Sequence, residues 1–222
     1  GTLMLLIDTD FVAYKAAQAC EECIDFGEDV IIAQSNFKEA LKVFERELQK
    51  IKTAMMEDDV ILYFSSPRNF RKEIFADYKG HRNRRKPLGY KRLVNYCRDN
   101  YNTVVRDTLE ADDSIGIDAT NPKYSGTDNI IVSPDKDMRQ IPGPLWDMTN
   151  DVEEITKEDG DRWHLIQSLA GDATDGYSGC PGIGVKRAAD ILNKHKTPWS
   201  AVCKAYEDKG LSDDDALMNA RL

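Results

Sequence analysis

LMLLIDTD, residues 3–10, is a run of apolar side chains that ends abruptly on two carboxylates, Asp8 and Asp10. A short continuous apolar run with a polar end reads as a buried strand, here closing at Asp8 and followed by a helix. Similar runs recur at 60–64, 103–105, 130–132 and 145–148, with helical segments between most of them. Strands alternating with helices imply an α/β fold built on a mainly parallel central sheet flanked by helices. In such sheets ligands gather at the carboxyl ends of the strands, and acids stand at those ends here.

The first long helix is legible from its stripe. Phe37, Leu41, Phe44, Leu48, Ile51 and Met55 recur at helical spacing, with Asn36 and Glu39 offering a capping-box-like start, so an amphipathic helix should cover the sheet from about residue 36. Beyond Ile155 the character changes. A helix with Trp163, Leu165, Ile166 and Leu169 leads into GDATDGYSGCPGIG, a tight glycine turn, and a second helix over 185–193. Ser212 before three aspartates suggests an N-cap and one further helix. The expected organisation is a core over 1–155 with a basic insertion at about 66–100, and a helical module over 156–222 that continues past Leu222.

Composition narrows the function classes. The chain of 222 residues is long enough for one well-packed domain and an appendage. Its longest apolar runs fall well short of the ~20 residues that a membrane-spanning helix needs, and no basic-then-apolar leader is seen, so a cytoplasmic protein is expected. Five cysteines, an odd number, argue against a closed disulfide framework. Cys20 and Cys23 form a CxxC without a second pair, which fits two small helix residues better than a zinc ribbon.

Charge is distributed unevenly. The net charge is -9, yet between Arg68 and Arg98 eleven cations face two acids, a balance of +9 that leaves the remainder at -18. An acidic body with one basic segment has the footprint of a protein that meets a polyanion. That segment, FRKEIFADYKGHRNRRKPLGYKR, mixes its cations with Phe70, Phe75, Tyr78 and Tyr90. Cations position phosphates and aromatic rings can stack on unpaired bases.

Nine carboxylates fall in four clusters: Asp8 and Asp10; Glu110, Asp112 and Asp113; Asp135 and Asp137; Asp172 and Asp175. Any one of them could be a solvated surface residue or a helix cap, as Asp112 and Asp113 are well placed to be. Their joint occurrence at strand ends and helix starts instead suggests a divalent-metal site. Hydrolysis of a phosphodiester can be served by two hard cations about 3.5–4 Å apart, held by carboxylate oxygens. Oxygen donors with only three histidines in the chain match Mg²⁺ or Mn²⁺ and not zinc. The PGIG turn adds backbone N–H groups that suit a phosphate, helped by Lys186 and Arg187.

In these motifs the chain resembles the flap-endonuclease and 5′ to 3′ exonuclease superfamily, most closely the exonucleases of tailed bacteriophages. IDTD, FRKEIFADYKGHR, EADD, SPDKD and GDATDGYSGCPGIG follow the family order over roughly residues 3–192. The resemblance implies a PIN-like nuclease core, a basic helical arch and a helix-hairpin-helix DNA-binding module. It implies a two-metal enzyme acting on 5′ ends, gaps or flaps of duplex DNA, with RNA primers in hybrids as a further substrate. It carries metal binding onto Asp8, Glu110, Asp112, Asp113, Asp135, Asp137, Asp172 and Asp175, with Asp8 and Asp135 central to catalysis.

The same resemblance places Lys79 and Arg82 at the scissile phosphate and Tyr78 near them. Arg71, Arg84, Arg85, Lys86, Lys186 and Arg187 join the DNA contacts, and Gly182 and Gly184 are expected to hold K⁺ through their carbonyls. One departure stands out. Where the family places an aspartate after the second strand, this chain has Ser65 and Ser66, so Asp10 either compensates as a metal ligand or supports one. Two other readings remain. DTDFV after an apolar strand also satisfies a haloacid-dehalogenase-type phosphatase pattern, with Asp8 as nucleophile and Asp10 as acid/base. A non-catalytic DNA-binding protein is the third.

Overall fold

The computed structural model describes residues 3–21, 30–76, 78, 87, 89–121, 128–172, 175–193 and 198–222, with the backbone alone at 21, 30–36, 193 and 198. Two compact units divide the chain: Gly1–Arg68 with Arg84–Glu154, and Asn69–Asn83 with Ile155–Leu222. The stretch expected as one arch, 66–100, is therefore shared between them.

The strands are β1 (Met4–Asp8), β2 (Val60–Tyr63), β3 (Thr103–Val104), β4 (Asn129–Val132), β5 (Gly143–Trp146) and β6 (Glu153–Ile155). Among the described residues the helices are α1 (Asp10–Glu21), α2 (Val30–Met55), α3 (Phe70–Ile74), α4 (Tyr90–Asn100), α5 (Ala111–Ala119), α6 (Lys157–Ala170), α7 (Val185–Asn193), α8 (Pro198–Asp208) and α9 (Asp213–Arg221), with a 3₁₀ helix over Lys136–Gln140.

In the first unit the sheet runs β3-β2-β1-β4-β5-β6. β1 pairs in parallel with β2 and β4, β2 with β3, and β4 with β5. The period of two along β1 decides the layers. Leu5 and Ile7 join Val12 and Ala16 of α1, Phe44, Leu48 and Ile51 of α2, and Leu93 and Cys97 of α4 in one buried cluster. Helix α5 packs against β1, β2 and β4, yet its fully buried Ile115 stays outside that cluster. It therefore covers the opposite face, and the sheet is buried from both sides. Truncating Phe44 to alanine would cost about 3–5 kcal/mol, the usual penalty for a cavity of that size.

Two boundaries and two elements differ from those expected. Helix α2 starts at Val30, so Asn36 lies inside it rather than capping it. Strand β5 ends at Trp146, and Met148, expected within it, sits at φ 75° in the left-handed region that no strand contains. Strand β6 and helix α8 were not anticipated.

The second unit is helical. Leu169 of α6, Ile183, Ala188 and Leu192 about α7, Val202 and Tyr206 of α8, and Ala216 of α9 form its core. Ser212 caps α9 with a reciprocal capping box to Asp215, as its sequence suggested. Among the described residues no helix is long and apolar enough to cross a membrane, and Cys97, Cys180 and Cys203 are free thiols.

Candidate active site

Because β1 lies between β2 and β4 and all three are parallel, their carboxyl ends share one edge. Asp8 is the last residue of β1, in register with Tyr63 at the end of β2 and hydrogen-bonded to Ser133 just beyond β4. The Ser133 hydroxyl donates to Asp8 Oδ2 at 2.9 Å and accepts the Asp135 N–H at 3.1 Å. Asp135 in turn caps the 3₁₀ helix, its Oδ1 accepting the Asp137 N–H at 3.0 Å. One buried serine thus holds Asp8 and the Asp135 turn in fixed register.

The second group of acids opens α5. Glu110 is its N-cap residue, and its N–H donates to Asp113 Oδ2 at 2.9 Å, while the Asp113 N–H donates to Asp112 Oδ1 at 3.0 Å. Three carboxylates in one turn would repel, but they sit at the positive end of the helix dipole, which offsets part of that repulsion. Glu110 is nevertheless 9% exposed, an expensive burial for a charge. Among the described residues of the first unit, no three acids bring ligand atoms within 4.8 Å of one another.

Asp10 is engaged differently from the other acids. Its two oxygens accept the Ser65 N–H at 3.1 and 3.0 Å, the Ser65 hydroxyl, and the Tyr90 hydroxyl at 2.6 Å. Ser65 Oγ also accepts the Ala111 N–H at 2.9 Å, joining Asp10 to the first turn of α5. Burial, then the charge of Asp10 and the hydrogen bond to it, push the Tyr90 hydroxyl far above its usual range, so it stays a neutral donor. Sequence reasoning missed Tyr90 in this role and treated Ser65 only as a missing acid. The available signal was that a serine can donate and accept at once.

In the second unit Asp172 and Asp175 are 3% and 5% exposed, with carboxylate oxygens within 4.8 Å of each other. Asp172 bridges to Tyr177, with its N–H donating to the Tyr177 carbonyl at 2.8 Å, and its own carbonyl accepts the Gly176 N–H at 2.9 Å. The hairpin turn follows, with Gly182 at φ 75° and the Gly184 carbonyl accepting the Ala188 N–H at 2.9 Å. Lys186 and Arg187 are exposed in the first turn of α7.

One of the expected DNA contacts, Tyr78, is corrected, and Arg71 has partners within its own unit. Tyr78 is 1% exposed and stacks on Tyr177 with ring centroids 6.5 Å apart, so neither face is open to a base. Arg71 donates to the Leu222 carbonyl at 2.8 Å and lies over the rings of Phe70 and Tyr78, at 4.5 and 5.9 Å from their centroids. These contacts tie its Nε and the face of its guanidinium to neighbours within the unit. Lys79, Arg82, Arg84, Arg85 and Lys86 lie outside the described residues.

The chemistry of the donor set fits hard divalent cations. All the candidate ligands are carboxylate oxygens, and Asp172 and Asp175, buried and close together, offer two of them at one place. A parallel sheet with acids along its carboxyl edge, joined in sequence to a helix-hairpin-helix unit, defines a nuclease of the resolvase-like class. The chain belongs to the 5′-3′ exonuclease family, matching its N-terminal resolvase-like domain over residues 3–160. It is 32% identical over 219 residues to the exodeoxyribonuclease of Enterobacteria phage T3 and to the exonuclease of Escherichia phage T7. Those alignments cover 93% of this chain and 72% and 73% of the two phage proteins. The fold is similar to that of the T5 D15 protein co-crystallised with metal ions, at a TM-score of 0.68 and 15% identity, over 98% of this chain and 87% of the other.

Proposed function

We propose that the protein is a structure-specific 5′ to 3′ exonuclease and flap endonuclease that hydrolyses phosphodiesters of duplex DNA with two Mg²⁺ or Mn²⁺ ions. The observation that carries this reading is the buried, mutually close pair Asp172 and Asp175, in a chain whose other acids line the carboxyl edge of a parallel sheet. In the first unit Asp8, Glu110, Asp112, Asp113, Asp135 and Asp137 are the residues assigned to the ions, and in the second unit Asp172 and Asp175. When bound, such ions lower the pKa of a coordinated water and stabilise charge on attacking and leaving oxygens.

The chain's own groups do the rest. Ser133 orients Asp8, and the α5 dipole lets Glu110, Asp112 and Asp113 stand together as anions. Lys79 and Arg82 are assigned to the scissile phosphate, where fixed cations would favour the more highly charged transition state. Arg84, Arg85 and Lys86 would follow the substrate backbone, and Gly182, Gly184, Lys186 and Arg187 would grip the duplex, with K⁺ at the glycine turn. The phosphatase reading is disfavoured because both Asp10 oxygens are turned to Ser65 and Tyr90 rather than offered to a substrate.

Product lengths from blunt, gapped and 5′-flapped duplexes, with and without an RNA strand, test the reading. Cleavage restricted to the 5′ side, with mononucleotides from blunt ends and intact flaps from flapped ones, is expected. Turnover of para-nitrophenyl phosphate without DNA cleavage would replace it by the phosphatase, and stable binding of intact DNA in Mg²⁺ by the non-catalytic binder.

A further inference from the structure

Asp10 lies two residues beyond Asp8 and carries two oxygens that accept four hydrogen bonds from two residues, the Ser65 N–H being shared between both oxygens. The proton positions follow from donor inventory. A carboxylate only accepts, so Ser65 and Tyr90 must each give their single hydroxyl proton to Asp10. A backbone N–H only donates, so the remaining lone pairs of Ser65 Oγ receive Ala111. The result is a directed chain in which Ala111 donates to Ser65, Ser65 donates to Asp10, and Tyr90 closes it from the other side.

We infer that Asp10, Ser65 and Tyr90 are positioning residues that set the α5 carboxylates relative to Asp8, and that Asp10 is not itself a metal ligand. The inference rests on the metal-dependent nuclease reading and assigns parts within it. The elements joined are those that carry the candidate ligands. Asp10 begins α1 immediately after the β1 edge that bears Asp8. Ser65 follows β2, and Ala111 is the first residue of α5, next to Glu110 and one before Asp112. Tyr90 is the first residue of α4, 6% exposed and packed in the core of the first unit.

Removing a link has a defined consequence. Without the Ser65 hydroxyl, the N–H of Ala111, a residue 3% exposed, loses its acceptor and Asp10 loses a donor. Without the Tyr90 hydroxyl, one Asp10 oxygen is released from α4. Partners of this kind, which orient ligands without touching the ion, typically change metal affinity or activity by about 10–100-fold when removed.

The test uses the full chain without DNA. Terbium luminescence titrations, competed with Mg²⁺, give the half-saturation concentration and the number of ions for wild type, Tyr90→Phe, Ser65→Ala, Ser65→Thr and Asp10→Asn. The Phe variant keeps the buried ring, and thermal melts establish that each variant is folded. Tyr90→Phe and Ser65→Ala should raise half-saturation about 10-fold or more, keep the ion count, and leave affinity for duplex in Ca²⁺ within about twofold. Ser65→Thr, which retains the hydroxyl, should recover most of the loss.

Unchanged half-saturation in both Tyr90→Phe and Ser65→Ala overturns the positioning role while leaving the nuclease reading intact. Loss of one bound ion in Asp10→Asn overturns it as well, by making Asp10 a ligand. A wild-type chain that binds no ion and cleaves without one overturns both readings together.

Discussion

Gly171 and Gly179 lie back to back in the second unit, so close that a Cβ on Gly171 would stand 2.5 Å from the Gly179 nitrogen, and one on Gly179 would stand 2.3 Å from the Gly171 nitrogen. Both have φ in the left-handed region, at 70° and 66°. Their contact closes the loop that carries Asp172 and Asp175. Gly179→Ala meets backbone atoms that no rotamer change can move aside, and it adds strain of about 1–3 kcal/mol at its φ alone. The variant should melt well below wild type and lose cleavage, as followed by circular dichroism and a DNA-release assay. An unshifted melting temperature would mean that the two glycines do not set this loop.

The Ser133 hydroxyl joins Asp8 to the Asp135 turn. Ser133→Ala should lower kcat about 10–100-fold and raise the Mg²⁺ concentration needed for half-maximal rate. Binding to duplex in Ca²⁺ should remain. A fall in DNA affinity with kcat unchanged would place Ser133 in substrate binding instead.

Asp118 illustrates an acid with a purely structural place. It is 7% exposed, accepts the Tyr63 hydroxyl at 2.7 Å and pairs with Arg106 at 2.6 Å. Tyr63→Phe keeps the ring and removes one donor from a buried charge, which should cost about 1–3 kcal/mol of stability. Activity at a temperature where the variant is folded should be unaffected, which separates Asp118 from the candidate metal ligands.

His164 gives the second unit a pH dependence with a definite sign. Burial lowers its pKa, with Asp161 opposing in part. The unfolded chain takes up the proton near 6.5, whereas the folded chain does so only at lower pH. Between those values the unfolded state binds more protons, so stability falls as pH drops below about 6.5 and levels off below the folded pKa. Thermal melts between neutral and mildly acidic pH should show this slope, and His164→Gln should reduce it.

Lys79 was assigned to the scissile phosphate. Lys79→Ala should reduce kcat about 10²–10³-fold if it meets charge that develops in the transition state. A change confined to salt-sensitive affinity would make it a phosphate-positioning residue.

Much of the fold was legible because the strands are short apolar runs with polar ends, as in residues 3–8, and because Ser212 and the 185–193 repeat follow helix rules that need no tertiary context. The start of α2 was misplaced because Asn36 looks like a cap, although nothing local prevents the helix from beginning at Val30. Strand β6 was missed because Glu153 and Glu154 are poor strand formers and its place is decided by sheet pairing. At the site, the acids could be found from their clustering, whereas the partners that aim them could not. Ser133 is unremarkable in sequence, Ser65 reads there only as a missing acid, and Tyr90 is 80 positions from the Asp10 it meets. Tyr78 was misread for the same reason: a tyrosine among cations looks like a stacking platform, and only the packing reveals it stacked on Tyr177.

The most direct measurement is the fate of duplex labelled at the 5′ end, incubated with Mg²⁺ alongside wild-type protein and Asp135→Asn. The wild type should release labelled nucleotide from the 5′ end, cease on chelation of the metal, and leave a 3′ label on progressively shorter strands. Asp135→Asn should bind the same duplex in Ca²⁺ and release nothing in Mg²⁺. Undiminished release by Asp135→Asn, or cleavage that persists in excess chelator, would contradict the metal-dependent site described here.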